Sequence, residues 1–579
     1  MDRAEHTLKQ FWGYEDFRPG QEKMVNAILE GRDVLAVMPT GAGKSVCYQL
    51  PALILPGVTI VISPLISLMV DQVRALNAAG IHAAYINSAL SEHQIALALE
   101  YASQGRYDLV YVAPERLFHP EFMTFAVTTE ISLIAVDEAH CISQWGQDFR
   151  PSYLRIRDFA NSLPRRPVVA AFTATATRRV REDIAKNLQL REPRLLVTGF
   201  DRPNLFFAVG HPENKLAWLV EDLTRHKKES AIIYCSTRKK VEEVYEALRQ
   251  EGISVGRYHA GMEPEERAKS QEDFITDRVQ MIVATNAFGM GIDKPDVRRV
   301  IHYNMPQSME NYYQEAGRAG RDGEEAEAIL LADAQDYVIA RYLLEHKEYP
   351  EGMSDADILM AQDQDRERLR AMEGYTRTTG CLRSYILRYF GEKPSGDCKK
   401  CSSCRHIFYE NEDQALAERV SDFGTKEREK RRRYKSNLDF AGMDWEDLTR
   451  YAADFDDFEG AGHQGELAGR GRKGSDWDIS REVSRRGAYG YLARNKAYGP
   501  APGGDGLSCE DQKLLDQLDH MRKKIARENG VAPYMICNLR TLKEICRRKP
   551  GNQEEMLQIP GMTKAKYENF GWRFQEMVM

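Results

Sequence analysis

The sequence predicts an α/β protein: two parallel-sheet lobes, a helical cysteine-bearing subdomain, a charged irregular segment and a small all-α C-terminal domain. Three observations carry this expectation. Residues 1 to about 337 alternate short apolar runs with helical stretches, four cysteines cluster between 381 and 404, and helical periodicity returns at Leu514, Leu515 and Leu518. The apolar runs at 34–38, 59–62, 109–112, 133–136, 168–172, 231–234 and 281–284 are continuous rather than alternating, as in strands buried on both faces. So long a region exceeds one sheet, and Asp201-Arg202-Pro203-Asn204 supplies a break. The expected units are 1–204, 205–337, 338–408, 409–508 and 509–579.

Composition bounds the function. No run approaches the roughly 18 apolar residues of a membrane span, and Met1-Asp2-Arg3-Ala4-Glu5-His6 lacks the basic-then-apolar order of a signal peptide, so neither secretion nor a membrane partner is expected. A net charge of -7 leaves polyanion binding to local basic surfaces. Ten cysteines in 579 residues do not make a disulfide scaffold.

The run 34–38 leads into Pro39-Thr40-Gly41-Ala42-Gly43-Lys44-Ser45 and then a helical stretch. Glycines let Thr40, Gly41, Ala42 and Gly43 curl so that successive N–H groups face a phosphate at a helix N-terminus. Lys44 would reach the β- and γ-phosphates and the Ser45 hydroxyl would ligate Mg2+, although Met38 replaces the first glycine of the strict pattern. About 90 residues on, the run 133–136 ends in Asp137-Glu138-Ala139-His140. Nucleotide hydrolysis needs one carboxylate near magnesium, a role for Asp137, and a second group to orient or deprotonate water, a role for Glu138. The pair of motifs reads as an ATPase.

The next residues, Cys141-Ile142-Ser143-Gln144-Trp145-Gly146-Gln147-Asp148-Phe149-Arg150-Pro151, resemble the aromatic-rich loop of RecQ-family DNA helicases. In that family the loop couples single-strand binding to ATP hydrolysis. The resemblance implies RecA-like lobes, with Trp145 and Phe149 stacking on bases and Arg150 pairing with phosphate; each stacked base is worth about 1–3 kcal/mol. Either aromatic could instead fill core. Phe17-Arg18-Pro19-Gly20-Gln21 resembles the family's adenine-recognition motif, which implies that Gln21, Arg18 and upstream Tyr14 hold the base. The blocks 63–68 and 113–116 resemble segments along the DNA path, and 173–177 resembles the motif linking hydrolysis to lobe movement. In the second lobe, 287–295 and 312–323 complete the match. There the resemblance implies Arg321 as the arginine finger, worth about 10³–10⁵ in rate, with Arg318 and Gln314 on phosphate and coupling groups.

Cys381, Cys398, Cys401 and Cys404 form C-x16-C-x2-C-x2-C. Four thiolates suit a closed, structural Zn2+ site, with an iron–sulfur cluster as the rival. Tyr389-Phe390-Gly391-Glu392 between the first two matches the RecQ zinc subdomain. Residues 409–508 show no recognisable winged helix, whereas 509–579 resemble an HRDC domain, either DNA-binding or protein-contacting.

The first expectation is therefore an ATP-dependent 3′–5′ DNA helicase of recombination and repair. By family resemblance it would act on single-stranded and branched or partial-duplex DNA, with single-strand-binding and recombination proteins as partners. Its place would be cytoplasmic and nucleoid-associated in a bacterium, or nuclear in a eukaryote. The alternatives are a DNA-stimulated translocase that remodels or anneals with little unwinding, and a non-enzymatic DNA-binding scaffold. Gln147 stands where the family usually carries histidine, and glutamine cannot titrate near neutral pH. Gln147→His is expected to raise DNA-stimulated ATP turnover about two- to threefold, as the restored ring would tighten coupling; unchanged stimulation would contradict this.

Overall fold

Each of the seven apolar runs coincides with a strand, the first overrunning its own by Met38 alone. The computed structural model describes residues 3–143, 149–288, 294–347, 355–407 and 509–579. The first lobe contains β1 (Val34–Val37), β2 (Val58–Ile62), β3 (Ala83–Ile86), β4 (Leu109–Val112), β5 (Ile131–Val136), β6 (Val168–Thr173) and β7 (Arg194–Val197). Their order across the sheet is β3-β4-β2-β5-β6-β1-β7, with every pairing parallel. The second contains β8 (Leu205–Gly210), β9 (Ala231–Tyr234), β10 (Val255–Tyr258), β11 (Met281–Ala284), β12 (Arg299–His302) and β13 (Ala326–Leu331). Their order is β10-β11-β9-β12-β13-β8, again all parallel.

Parallel strands need crossover helices, which cover both faces, so β1, β2, β4, β9 and β11 are buried along their whole length. The strand order then positions chemistry. Ligands of open α/β sheets bind outside the carboxyl ends of the strands. Here β5, β6 and β1 are neighbours, so the segments that follow them, 137–143, 174–177 and 39–45, emerge side by side.

Beyond the lobes, helices Asp355–Arg377 and Leu382–Tyr389 pack against the second lobe, where the Tyr312 and Tyr375 hydroxyls lie 3.1 Å apart. The C-terminal helices Cys509–Asn529, Leu539–Arg548 and Trp572–Val578 enclose Leu515, Leu518, Ile525, Ile545 and Phe574. This unit touches both lobes: Gly561 N–H donates to Gly13 C=O at 3.0 Å, and Lys543 pairs with Glu324. A Cβ on Gly13, whose φ is +72°, would lie 3.2 Å from the Gly561 backbone. The charged segment 409–508, whose sequence shows no recognisable winged helix, and the loop residues Trp145 and Gln147 lie outside the described residues.

At the opposite end of the first sheet, the buried Asp33 carboxylate accepts four hydrogen bonds. The donors are both Arg166 Nη atoms (3.0 and 2.7 Å), Val169 N–H (2.9 Å) and Arg191 N–H (2.7 Å). They fasten the start of β1 to the start of β6. Asp33→Ala leaves Arg166 without its carboxylate, a change that costs about 3–5 kcal/mol when a buried pair is broken. Amide hydrogen exchange in β1 and β6 is expected to accelerate about a hundredfold or more; unchanged exchange would show that the pair contributes nothing.

Candidate nucleotide site between the lobes

The loop after β1 turns through left-handed glycines, Gly41 at φ +83° and Gly43 at φ +80°. Only glycine fits at the second: a Cβ there would lie 2.4 Å from Gln21 Nε2. Gln21 is itself buried, donating from Nε2 to Gly43 C=O (2.9 Å) and Ala42 C=O (3.4 Å) and accepting from Arg18 N–H (2.8 Å). Its amide thus braces the loop, while Arg18 donates to Gly41 C=O. Lys44 Nζ donates to Met38 C=O at 3.3 Å, bending back over the loop.

After β5, the buried Asp137 extends the sheet by donating its N–H to Ile62 C=O (2.9 Å), and its C=O accepts from Tyr153 Oη (3.0 Å). Glu138 sits in the left-handed region at φ +46°, strain of order 1–3 kcal/mol for a side-chain-bearing residue. The turn is held by the Glu138 N–H donating to Asp137 Oδ1 (2.9 Å) and by His140 Nδ1 lying 3.2 Å from Glu138 Oε2. Burial and then the charge of Glu138 push the Asp137 carboxyl upward, against Lys44. Burial also opposes charge on Glu138, but His140, Lys44 and Arg318 outweigh it and hold that carboxyl below its usual range. The buried Asp137 and half-buried Glu138 carboxyls resist joint ionisation, which a divalent cation would relieve, so Asp137 with the Ser45 hydroxyl fits Mg2+.

A relay runs from these carboxylates to the other lobe. His140 Nδ1 lies 2.9 Å from Thr173 Oγ1, which bonds the Thr175 backbone, and Thr175 Oγ1 accepts from Gln314 Nε2 at 2.9 Å. Gln314 lies on helix Met309–Ala316, and the loop after it carries Arg318 and Arg321. The two lobes enclose a cavity of about 410 Å³. Thr40, Gly41, Gly43, Lys44, Ser45, Asp137 and Glu138 line it from one side, with Arg18 at the rim. Gln314, Arg318 and Arg321 line it from the other.

Most of the expected nucleotide residues therefore converge. Ala42 packs into the first lobe's core, and Tyr14 packs beside helix Arg3–Trp12, so neither they nor Gln21 line the cavity. Phe149 is half-buried, and Arg150 donates to Pro64 C=O at 3.1 Å, within the block expected along the DNA path. Asn286, Asn311 and Glu315 also line the cavity without having been singled out in the sequence. Glu315 sits between two residues that were, and the other two are polar side chains of common loop and helix types.

The four cysteine sulfurs lie within 4.8 Å of one another, with Cys398–Cys404 and Cys381–Cys401 each at 4.0 Å. A tetrahedral ion with Zn–S near 2.3 Å requires sulfurs about 3.8 Å apart. Backbone N–H groups of Ser384, Cys398, Lys400 and Cys401 point at Cys381 and Cys398 sulfurs at 3.2–3.4 Å, an environment suited to thiolates. The residues fit zinc.

Two parallel-sheet lobes meeting across a phosphate loop define a RecA-like helicase core. The DEAD/DEAH box helicase family matches residues 18–184, the helicase conserved C-terminal domain 214–323, the RecQ zinc-binding family 334–405 and the HRDC domain 511–578. The chain is 39% identical to the ATP-dependent DNA helicase RecQ of Bacillus subtilis, covering 100% of this chain and 98% of that one. It is 36% identical to the protein of the same name from Haemophilus influenzae, over 99% and 95% of the two chains. Among solved structures, the DEAD-box helicase Mss116 bound to ssRNA and UDP-BeF overlays with a TM-score of 0.51 at 18% identity, covering 68% of this chain and 89% of that one. The chain belongs to the RecQ family of DNA helicases.

Metal analysis of purified protein is expected to find a single zinc ion per chain, lost in Cys401→Ser together with protection of helix Leu382–Tyr389 from exchange. Iron with inorganic sulfide would contradict the zinc assignment.

Proposed function

We propose that this protein is an ATP-dependent DNA helicase that translocates 3′ to 5′ on single-stranded DNA and unwinds duplex or branched DNA in recombination and repair. The observation that carries the reading is the cavity between the lobes, ringed by the phosphate loop, a carboxylate pair and two arginines from the opposite lobe. The names of the full-length relatives support ATP and DNA as its substrates. In this reading the units are 1–204, 205–337, 338–408, 409–508 and 509–579, and the last two modify a motor built from the first three.

The proposed roles draw on the cavity lining and on the family resemblance. The loop 40–45 holds the β- and γ-phosphates, with Lys44 moving from Met38 C=O to the triphosphate. Arg18 and Tyr14 flank the base, and Gln21 ties base recognition to loop shape through Gly43. Ser45 and Asp137 would hold Mg2+, which supplies charge neutralisation at the phosphates. Glu138, kept anionic by His140, orients and deprotonates the attacking water. Arg321 and Arg318 stabilise charge on the transferred group, which assembles only when the lobes are together. Hydrolysis removes that anion, the lobes part, and Gln314–Thr175 is the bond through which the change reaches the DNA-facing segments. Trp145, Phe149 and Arg150 are the proposed strand contacts, and the protein would act on nucleoid or nuclear DNA.

Strand displacement on matched 3′-tailed and 5′-tailed duplexes tests the reading. ATP-dependent displacement of the 3′-tailed substrate alone is expected, with Lys44→Ala lowering both displacement and hydrolysis at least a hundredfold (about 3 kcal/mol in the barrier). Hydrolysis without displacement would replace unwinding by translocation, and full activity in Lys44→Ala would overturn the site.

A further inference from the structure

The chain crosses between the lobes through residues 198–204, from β7 to β8. In the sequence this stretch reads only as a break. In the structure it holds a buried arginine, 8% exposed, whose guanidinium serves four backbone carbonyls. Arg202 Nη1 donates to Thr40 C=O (2.7 Å) and Gly317 C=O (3.1 Å), and Nη2 donates to Ala319 C=O (3.0 Å) and Gly320 C=O (3.0 Å). Thr40 belongs to the phosphate loop; Gly317, Ala319 and Gly320 belong to the loop carrying Arg318 and Arg321. Asn204 Nδ2 adds bonds to Gly320 C=O (2.9 Å) and Glu324 C=O (2.8 Å). The two loops meet backbone to backbone, since a Cβ on Gly41 would lie 3.3 Å from Arg321 Cα.

Building this contact is costly. Among the described residues no carboxylate forms an ion pair with Arg202, and burial pulls its guanidinium down to about 10, with Tyr313 and Asp322 opposing and Arg321 and Arg18 adding repulsion. A buried cation held by carbonyl dipoles beside further cations gains little stability by itself. A polyanion in the adjoining cavity offsets the repulsion between these cations. Arg202 does not line the cavity, and it acts through the loops it joins.

The division of bonds is unequal. Three of the four carbonyls belong to the second lobe and one to the first, so parting the lobes breaks one of the four Arg202 bonds while Arg202 travels with the finger loop. The far side of the linker is gripped by the cysteine-bearing subdomain. Arg383 donates to Arg202 C=O at 2.7 Å and pairs with Asp201, Glu392 accepts from Phe200 N–H, and Phe390 stacks on Phe200 at 4.4 Å and 13°. Linker backbone on one side and Arg202 side chain on the other form one continuous tie.

We infer that Arg202 is a positioning residue: a guanidinium latch in the linker that seats the Arg318–Arg321 loop against the phosphate loop for hydrolysis. This rests on the nucleotide reading of the cavity. A lysine keeps the charge, but its single ammonium cannot reproduce the planar two-nitrogen fork across both loops.

The test uses the full chain with steady-state ATP turnover on single-stranded DNA, and separately the affinity for a fluorescent ATP analogue. In Arg202→Lys, kcat is expected to fall about thirtyfold or more while analogue affinity stays within about threefold, since the groups proposed to hold nucleotide remain in place. In Arg202→Ala, added guanidinium ion is expected to restore turnover several-fold, which a general folding defect would not permit. Turnover within threefold of wild type in both variants would overturn the inference. So would a parallel loss of turnover and affinity in Arg202→Lys without rescue of Arg202→Ala. A wild-type chain that hydrolyses no ATP would overturn the motor reading itself, and this inference with it.

Discussion

The structure depends on a meeting of two loops. The phosphate loop leaves the carboxyl end of β1, the arginine-bearing loop follows helix Met309–Ala316, and they touch at Gly41 and Arg321. Everything that makes the cavity a candidate for phosphoryl transfer follows from that contact. The first lobe alone has a phosphate cradle, Lys44 and a carboxylate pair but lacks the arginines that face them, Arg318 and Arg321. The second alone has arginines with nothing to act on. Dividing the site this way makes chemistry conditional on lobe position, and lobe position conditional on the anion between them.

Charge explains why the contact is balanced rather than permanent. Arg318 and Arg321 line the cavity opposite Lys44, Asp137 and Glu138, with Arg18 at its rim and Arg202 behind it. Burial raises the cost of charge on Asp137, Arg318 and Arg202. The carboxyl pair shares this strain, which His140 relieves more for Glu138 than for Asp137. In the proposed mechanism a triphosphate with Mg2+ would supply what both groups lack, and its conversion to products would withdraw it. The relay through Thr173, Thr175 and Gln314 joins the carboxylates of the first lobe to the second.

Much of the fold was legible because the central strands are continuous apolar runs. Strands carrying polar residues were not: β7 begins with exposed Arg194, β10 reads Val-Gly-Arg-Tyr, and the β12 sequence Arg-Val-Ile-His hides a fully internal strand behind two titratable residues. Arg299 there is buried because Asp222 and Glu327 pair with it, a fact no local pattern records. In the site, Gly-Lys-Ser and Asp-Glu-Ala-His were readable since their spacing is local. Arg202 was not, because its four acceptors are main-chain carbonyls more than a hundred residues away on one side and about 160 on the other. The inward turn of Gln21 was equally hidden, as only the folded loop offers Gly43 C=O to its amide.

Amide hydrogen exchange with and without a non-hydrolysable ATP analogue and magnesium tests the central claim most directly. Ligand is expected to protect residues 40–45 and 317–323 together, two segments far apart in sequence. Protection confined to 40–45, with 317–323 exchanging as in the free protein, would contradict a site shared between the lobes.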